Sequence, residues 1–257
     1  MTYKFNNGTS TSGLNSLRSS LNFFTLNSLD LEDNIIIKRL FKHFYRVKPI
    51  RPKYVTFWPV SQLLNFLETW HPPASLSLKQ ITLKIIALLA ISSSDRGQTL
   101  HLANIDDMVL ESDCIKFVIK DRLKTTRKIL KPKIITCPCS EKEHLNVFVY
   151  VNYYLELTKD WRHSTNRKLL LSWRTKSCVT RPTVARWLKT VLKLSGIDTG
   201  KYQSHSYRGA GLSNAFFKGV PISQIVAHGS WKNVRTFSNH YCAPSEESDV
   251  GKIILRG

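Results

Sequence analysis

The chain of 257 residues carries 38 lysines and arginines against 18 aspartates and glutamates, a formal net charge of +20, and 42% of its residues are hydrophobic. Such a chain can bury a sizeable core, which excludes global disorder, and its charge favours a polyanionic partner, with nucleic acid ahead of an anionic membrane. The sequence shows no secretory signal and no apolar run long enough to span a bilayer. Its five scattered cysteines do not suggest a disulfide framework, so we expect a reducing compartment.

The first 47 residues predict a small helical piece. Two weakly helical segments, 13–24 and 31–44, precede a basic stretch that contains Pro49 and Pro52. Because prolines at this spacing block a helix, the stretch predicts an extended linker. We therefore divide the chain into an N-terminal piece (1–47), a linker (48–55), a main domain (56–245) and a C-terminal tail (246–257).

The main domain combines helical patterns with a β-hairpin. Apolar residues at helical spacing predict helices over 60–70, 77–92, 145–158, 179–195, 204–217 and 221–227. Ser75 or Ser77 is a suitable N-cap for the second of these helices, and Gly196 is a suitable stop for the fourth. Runs rich in β-branched residues predict strands at 114–120, near 131–136 and at 169–171. The predicted fold class is mainly α with a small antiparallel β-sheet.

A possible zinc motif follows the hairpin. Cys137 and Cys139 flank a proline, and His144 follows them. The spacing is tighter than that of usual zinc knuckles and no second matched pair exists, so a surface loop is the favoured interpretation.

The last quarter of the chain carries the most informative pattern. His205 and Arg208 are three positions apart, which places them on one face of a helix, and Trp231 and Tyr241 follow. Metal-free cleavage of a phosphodiester by a tyrosine requires such groups. Arginines clamp the non-bridging oxygens, a histidine takes the tyrosine proton, and a second acid protonates the leaving oxygen.

Two further cations precede this pattern. Arg96 stands at the end of the predicted buried helix 77–92, and Lys124 stands just past the first hairpin strand. Either residue alone is unremarkable, since an arginine at a helix end is usually a capping or solvated charge. Only the complete ordered set is specific.

The ordered set resembles the tyrosine recombinase (phage-integrase-like) family, and within it the recombinases of DIRS-type retrotransposons. The resemblance covers residues 54–245 and rests on the strings SSSDRGQTLHL, LKTTR, TVARWLKTVLKLSGID, SHSYRGAGLSNAFFKGVPISQIV and GSWKNVRTFSNHY. It implies a tyrosine recombinase catalytic domain that breaks and rejoins DNA for a mobile element through a covalent 3′-phosphotyrosyl intermediate. It implies no metal and no other cofactor.

The resemblance also assigns six catalytic roles. Tyr241 is the implied nucleophile, and Arg96 and Arg208 are the implied phosphate-binding arginines. Lys124 is the implied general acid, His205 the proton-accepting histidine and Trp231 the supporting hydrogen-bond donor.

Some of these assignments have competitors. His228 competes with Trp231, which is favoured because it precedes the tyrosine by ten positions, and Lys120 competes with Lys124. Many family members carry an acidic residue three positions after the first arginine, whereas this chain has Thr99 there. We therefore expect the support of the site to be built differently.

The N-terminal piece resembles only the last helices of the family's core-binding domain, which clamps DNA. This predicts a truncated copy or an incomplete gene model, and a truncated, catalytically inactive DNA-binding remnant is the alternative function. A type IB topoisomerase, which uses a similar site, fits the sequence strings less well. A topoisomerase and a recombinase both predict a covalent adduct through Tyr241, whereas a remnant predicts DNA binding without one.

The expected partners are double-stranded DNA and further copies of the chain, as a tetramer on DNA, and the expected location is the nucleus. Basic residues outside the catalytic set are expected to contact the DNA backbone. They are Lys128, Lys131, Lys133, Arg162, Arg167, Lys168, Arg174, Lys176, Arg181 and Arg186. The tail contains an apolar triplet, 253–255, that either packs against a neighbouring copy or belongs to a loose end.

Overall fold

The computed structural model describes residues 1–24, 31–49, 53–121, 123, 132–231 and 233–243. The chain divides into two compact units, an N-terminal unit (Met1–Lys53) and a C-terminal unit (Tyr54–Gly257). The helices of the N-terminal unit are α1 (Thr2–Asn6), α2 (Thr11–Phe24) and α3 (Ile35–Val47). The first of them was not predicted from the sequence.

A small aromatic core holds the N-terminal unit together. Phe5 of α1 stacks on Phe44 of α3 with ring centroids 4.2 Å apart, and Leu14 and Phe41 complete the buried cluster. The start of α3 is fixed by Asn34, whose side chain accepts hydrogen bonds from two backbone amides of the first turn. That this unit is part of a DNA-clamping domain stays a prediction.

The C-terminal unit is mainly helical with one small sheet, which confirms the predicted fold class. Its elements are α4 (Val60–Glu68), α5 (Leu78–Ser93), α6 (Gly97–Leu100), β1 (Met108–Leu110), β2 (Cys114–Ile119), β3 (Lys133–Pro138), α7 (Val147–Leu157), α8 (Arg181–Leu194), α9 (Ser206–Phe217), α10 (Ile222–His228) and α11 (Val234–His240). Short 3₁₀ turns lie at Pro73–Ser75, Ile105–Asp107, Glu143–Leu145 and Lys159–Trp161. No helix of the described residues has both the length and the apolarity needed to cross a membrane.

Helix α5 is the centre of the C-terminal unit. Its residues 81–90 are all buried, and it packs against α7, α8, α9 and β3. Ser77 and Gln80 form a capping box at its start, which confirms the predicted cap. It ends at Ser94, which has a left-handed backbone with φ of 51°.

The sheet is antiparallel, with strand order β1-β2-β3. Phe117 of β2 lies opposite Met108 on one side and Ile135 on the other, so the predicted hairpin is confirmed and gains a third strand that the sequence did not reveal. The predicted strand at 169–171 is wrong. These leucines are buried, but the pairing around them consists of isolated bridges, Asn104 with Lys168 and Leu171 with Cys178, and not of a strand ladder, so their apolarity reflects burial in the core.

A second, smaller core joins the last three helices. Leu212 of α9, Ile225 of α10 and Phe237 of α11 are buried against one another. Trp231 and Tyr241 are partly buried and pack against this cluster. The cluster therefore fixes where these two aromatic rings lie relative to α9.

Candidate active site

The turn after α5 carries Arg96 to the surface. Ser94 ends the helix, and Asp95 and Arg96 follow before α6 begins. Asp95 is buried, whereas Arg96 is exposed. The end of α5 therefore presents an exposed cation directly beside a buried carboxylate.

Arg208, on α9, is the buried cation of the site, with 5% of its surface exposed. Its Nη1 donates to the Ser94 carbonyl at 2.8 Å, and its Nη2 donates to the Gly229 carbonyl. Its Nε–H finds no acceptor within the part of the chain that the structure describes. Buried donors in proteins are nearly always paired with protein groups, water or a ligand, so a bound acceptor would satisfy this N–H.

Electrostatics also favour an anion beside Arg208. Burial lowers the pKa of Arg208, the nearby charge of Arg96 lowers it further, and Tyr241 and Asp95 act in the opposite direction. Arginine still remains cationic in proteins at neutral pH. An anion held by both guanidinium groups offsets their mutual repulsion, which is the electrostatic basis of a phosphate site.

Trp231 and Tyr241 lie against the same guanidinium. The Arg208 Cζ lies 4.4 Å from the Trp231 ring centroid and 5.7 Å from the Tyr241 ring centroid. The two aromatic rings are 4.7 Å apart and inclined by 38°. Because a cation is attracted to an aromatic face, these contacts stabilise the cluster and bring a phenol next to a buried arginine.

Local backbone contacts hold both aromatic residues. The Tyr241 amide donates to the Phe237 carbonyl at 2.8 Å, and the Tyr241 carbonyl accepts from the Ser213 hydroxyl of α9. A Cβ atom at Gly229 would lie 2.4 Å from the Trp231 ring, so this close approach requires glycine. The sequence folds here so that α9 and the α10–α11 connection share one site.

His205 stands at the N-cap position of α9, before the helix begins at Ser206. The prediction that it lies within a helix starting at 204 is therefore corrected, although its own backbone is helical, with φ of −78° and ψ of −8°. Its Nε2 is 2.9 Å from the Tyr54 hydroxyl, and the two ring centroids are 5.3 Å apart. Burial raises the pKa of Tyr54, so this hydroxyl stays protonated and can donate to the imidazole.

The competing assignments separate in space. Lys124 lies outside the described residues. Lys120 forms an ion pair with Asp107 at 2.5 Å, and His228 contacts the Ser92 carbonyl at 3.2 Å through its Nε2. Trp231, in contrast, contacts both Arg208 and Tyr241.

Sequence reasoning missed three residues that surround the predicted site: Asp95, Tyr54 and Lys133. Lys133 was expected to contact the DNA backbone, but its Nζ lies 3.3 Å from the Asp95 carboxylate and 3.0 Å from the Ser230 hydroxyl. Asp95 adjoins Arg96 in the sequence, which is the one signal that could have drawn attention to it. The contacts of Tyr54 and Lys133 join residues 151 and 97 positions apart, which no local pattern reveals.

Two other residues expected at the DNA backbone have partners within the protein. Arg162 donates to the Lys168 and Leu169 carbonyls at 2.8 and 2.9 Å, and Arg167 forms an ion pair with Asp106. Lys128 and Lys131 lie outside the described residues, whereas four members of that set are exposed: Arg174, Lys176, Arg181 and Arg186.

The possible zinc motif takes a different form from the loop expected. Cys137 belongs to β3 and is buried, and burial raises the pKa of its thiol to about 12. Among the described residues, the one set of three potential metal ligands lying within 4.8 Å of one another is Glu111, Asp113 and Cys114. Cys137, Cys139 and His144 therefore do not form a three-ligand site.

Comparison with protein families and with curated proteins finds no match to this chain. Comparison with solved structures does. XerA recombinase is 16% identical with a TM-score of 0.56, over 96% of this chain and 82% of that one. The Tn1549 transposon integrase in complex with transposon right end DNA is 13% identical with a TM-score of 0.59, over 98% of this chain and 80% of that one.

A lambda integrase dimer bound to a COC′ core site is 11% identical with a TM-score of 0.51, over 94% of this chain and 67% of that one. At these identities the likeness concerns the fold. The mainly helical C-terminal unit with its small antiparallel sheet has the fold of the tyrosine recombinase catalytic domain.

Proposed function

We propose that this chain is a tyrosine recombinase that cleaves and rejoins double-stranded DNA through Tyr241. One observation carries the proposal: Arg208, buried and with an unpaired Nε–H, lies against the rings of Tyr241 and Trp231. A buried arginine beside a phenol provides both an anchor for a phosphate and a nucleophile to attack it.

In the proposed reaction, the Tyr241 oxygen attacks the scissile phosphorus. The bond from phosphorus to the 5′ oxygen breaks, which leaves a 3′-phosphotyrosyl bond and a 5′ hydroxyl. His205 takes the tyrosine proton, and Lys124 gives a proton to the leaving oxygen. Because one phosphodiester replaces another, the reverse reaction reseals the strand without an external energy source.

The cations of the site stabilise the charge that grows on the phosphate. Arg208 donates through its Nε–H, and Arg96, exposed at the end of α5, reaches the same phosphate from the surface. Trp231 supports Tyr241 and adds its indole N–H as a donor. Fixed donors of this kind typically contribute about 10²–10³ in rate each, so these side chains can supply the charge stabilisation that the reaction needs.

DNA is the proposed partner because the chain carries a net charge of +20 and presents exposed arginines and lysines near α8. The Tn1549 integrase and the lambda integrase were both solved with DNA, which supports this choice. We further propose that the chain acts for a mobile element of the DIRS type, in the nucleus, and as a homo-oligomer, a tetramer, on DNA. The lambda integrase dimer supports assembly on DNA.

The test is to trap the covalent intermediate. Purified protein is incubated with supercoiled plasmid and with a library of nicked duplexes, and detergent stops the reaction. Tyr241→Phe removes the nucleophile, and Tyr153→Phe, at a partly buried tyrosine on α7, is the matched control.

The proposal predicts DNA-linked protein for the wild type and for Tyr153→Phe, and none for Tyr241→Phe. Sequencing the trapped DNA then gives the target site. Salt-sensitive DNA binding with no adduct from any DNA would overturn the proposal in favour of a protein that binds DNA without cleaving it.

A further inference from the structure

Three described residues of the C-terminal unit other than glycine have a left-handed backbone, Ser94, Lys176 and Ser230, and two of them lie in turns beside the candidate site. Ser94 in the turn after α5 and Ser230 in the turn after α10 both have φ of 51°. A residue other than glycine seldom adopts this left-handed conformation, and it persists only where the surroundings hold it. The residues just after these turns include Arg96 and Trp231, both assigned to catalysis. The placement of two proposed catalytic side chains therefore depends on these turns.

Two cations link the turns to each other. Arg208 joins them through the backbone, since it donates to the carbonyls of Ser94 and Gly229. Lys133 joins the same turns through side chains, with its Nζ 3.3 Å from the Asp95 carboxylate and 3.0 Å from the Ser230 hydroxyl. Each turn is thus bound twice, once by each cation.

We propose that Lys133 is a positioning residue for DNA cleavage, the second cation of a clasp in which Lys133 and Arg208 together hold the 94–95 turn against the 229–230 turn. The inference rests on the proposed function and deepens it, because the clasp sets where Arg96 and Trp231 lie relative to Arg208 and Tyr241.

Asp95 is the carboxylate that allows the two cations to lie close together. Burial raises the pKa of Asp95 above its ordinary value, although the charges of Lys133, Arg208 and His228 act in the opposite direction. In its ionised form the carboxylate offsets repulsion among the surrounding cations, which would otherwise push the turns apart. Asp95 thus supplies a buried acidic group directly before Arg96. The position three residues after Arg96 holds Thr99, which is not acidic.

The burial of Lys133 argues against an ordinary contact with the DNA backbone. Its side chain is 24% exposed, and it bonds to protein groups on two sides. It is also the first residue of β3, so the clasp fixes the start of this strand against the site. Loss of Lys133 should therefore disturb the alignment of the site more than the affinity for DNA.

The test compares five variants: Lys133→Met, Lys133→Arg, Asp95→Asn, the double variant Lys133→Met with Asp95→Asn, and Lys116→Met. Lys116 is the matched control, because it is a partly exposed lysine of the adjacent strand β2 that pairs with Glu111. Each variant is measured for DNA affinity and for the rate of adduct formation at saturating DNA. The DNA is the sequence recovered from the wild-type adduct, prepared with oxygen or with sulfur as the 5′ leaving atom.

We expect Lys133→Met to lower the adduct rate by roughly 100-fold, the size typical of a misaligned site, with DNA affinity within about threefold of wild type. The loss should be equal for the oxygen and sulfur substrates, because positioning does not depend on the leaving atom. Lys133→Arg should recover most of the rate, and the double variant should be no slower than Lys133→Met. Lys116→Met should match the wild type.

Two results of the cleavage measurements overturn the inference. If Lys133→Met cleaves as fast as Lys116→Met, the clasp has no role in catalysis. The leaving group of the sulfur substrate needs no proton. If this substrate restores the cleavage rate of Lys133→Met but not that of the other variants, then Lys133 is a proton donor and not a positioning residue.

The clasp can also be tested by measuring stability instead of DNA cleavage. A failure of the clasp is then distinguishable from a failure of the proposed function. Wild type, Lys133→Met, Asp95→Asn and the double variant form a double-mutant cycle in urea unfolding. Non-additive shifts of the unfolding midpoint are expected if the two side chains act as a pair, and additive shifts contradict the clasp. If wild type forms no adduct but the cycle is non-additive, the proposed function fails and the clasp remains.

Discussion

Replacing Lys84 with methionine tests how the buried end of α4 is held. Lys84 lies fully buried in α5, and its Nζ donates to the carbonyls of Leu67 and Trp70 at 2.8 and 2.6 Å and to the Tyr150 hydroxyl at 2.8 Å. Two of these acceptors belong to the last turn of α4 and the residues after it. The lysine therefore acts as a C-terminal cap for α4 from inside the core.

The charge of this lysine makes its contribution depend on pH. Burial lowers the pKa of Lys84 to about 7, and Glu68 acts in the opposite direction. The pKa of Tyr150 is raised to about 12 by burial, so its hydroxyl stays protonated. Above pH 7 the neutral amine can still donate to both carbonyls while it accepts a hydrogen bond from Tyr150.

The direction in which stability changes with pH follows from proton binding. Between pH 7 and 10.5 the unfolded chain holds a proton on Lys84 that the folded chain has released, so the free energy of unfolding rises with pH. Three neutral hydrogen bonds are together worth about 3 kcal/mol at pH 9. Protonation of the buried amine removes about 2–3 kcal/mol of this between pH 9 and pH 6. Lys84→Met should thus be less stable than wild type by about 3 kcal/mol at pH 9 and nearly equal to it at pH 6.

The assay is equilibrium unfolding in urea at pH 6, 7.5 and 9. Lys79→Met, at an exposed lysine of the same helix, is the matched control and should change stability by less than about 0.5 kcal/mol at every pH. A stability difference between wild type and Lys84→Met that stays constant from pH 6 to 9, or that shrinks as pH rises, would contradict a lowered pKa of Lys84 and its role as a cap.

Three further predictions concern packing, catalysis and DNA binding. Gly209→Ala should destabilise the protein by about 2 kcal/mol or more in thermal unfolding, because its Cβ would lie 2.1 Å from the Phe57 ring, whereas Gly97→Ala meets its nearest neighbour at 3.9 Å. Equal stability of these two variants would contradict that packing. Tyr54→Phe removes the hydroxyl that holds His205, so adduct formation should slow by roughly tenfold with unchanged DNA affinity, and an unchanged rate would count against this role. DNA affinity should fall by about 10³-fold or more between 50 and 200 mM salt if six or more phosphates are contacted, and an affinity insensitive to salt would exclude backbone binding.

Local sequence signals predicted much of the fold correctly. Ser75 or Ser77 was predicted to cap α5, and Ser77 is the residue that does so, while Gly196, with φ of 77°, lies just beyond the end of α8 as predicted. These features depend on neighbouring residues, so a single sequence contains them. The leucines at 169–171 were misjudged because a short apolar run looks the same whether it pairs as a strand or is simply buried.

The order of the polar residues predicted the candidate site only in outline. Arg208, Trp231 and Tyr241 come together in space, and Arg96 is close enough to influence the pKa of Arg208. The supporting contacts were not predictable, because Lys133 meets Ser230 across 97 positions of the chain. Such contacts arise when β3 packs beside α5, which the sequence pattern does not specify.

The most direct test of cleavage by Tyr241 is to identify the amino acid that carries the DNA. The trapped complex is digested with nuclease and protease, and the nucleotide-linked peptide is sequenced by mass spectrometry. We expect a 3′-phosphate ester on Tyr241. A nucleotide on any other residue, Tyr207 of the neighbouring helix α9 included, or a protein that never becomes linked to DNA, would contradict this expectation.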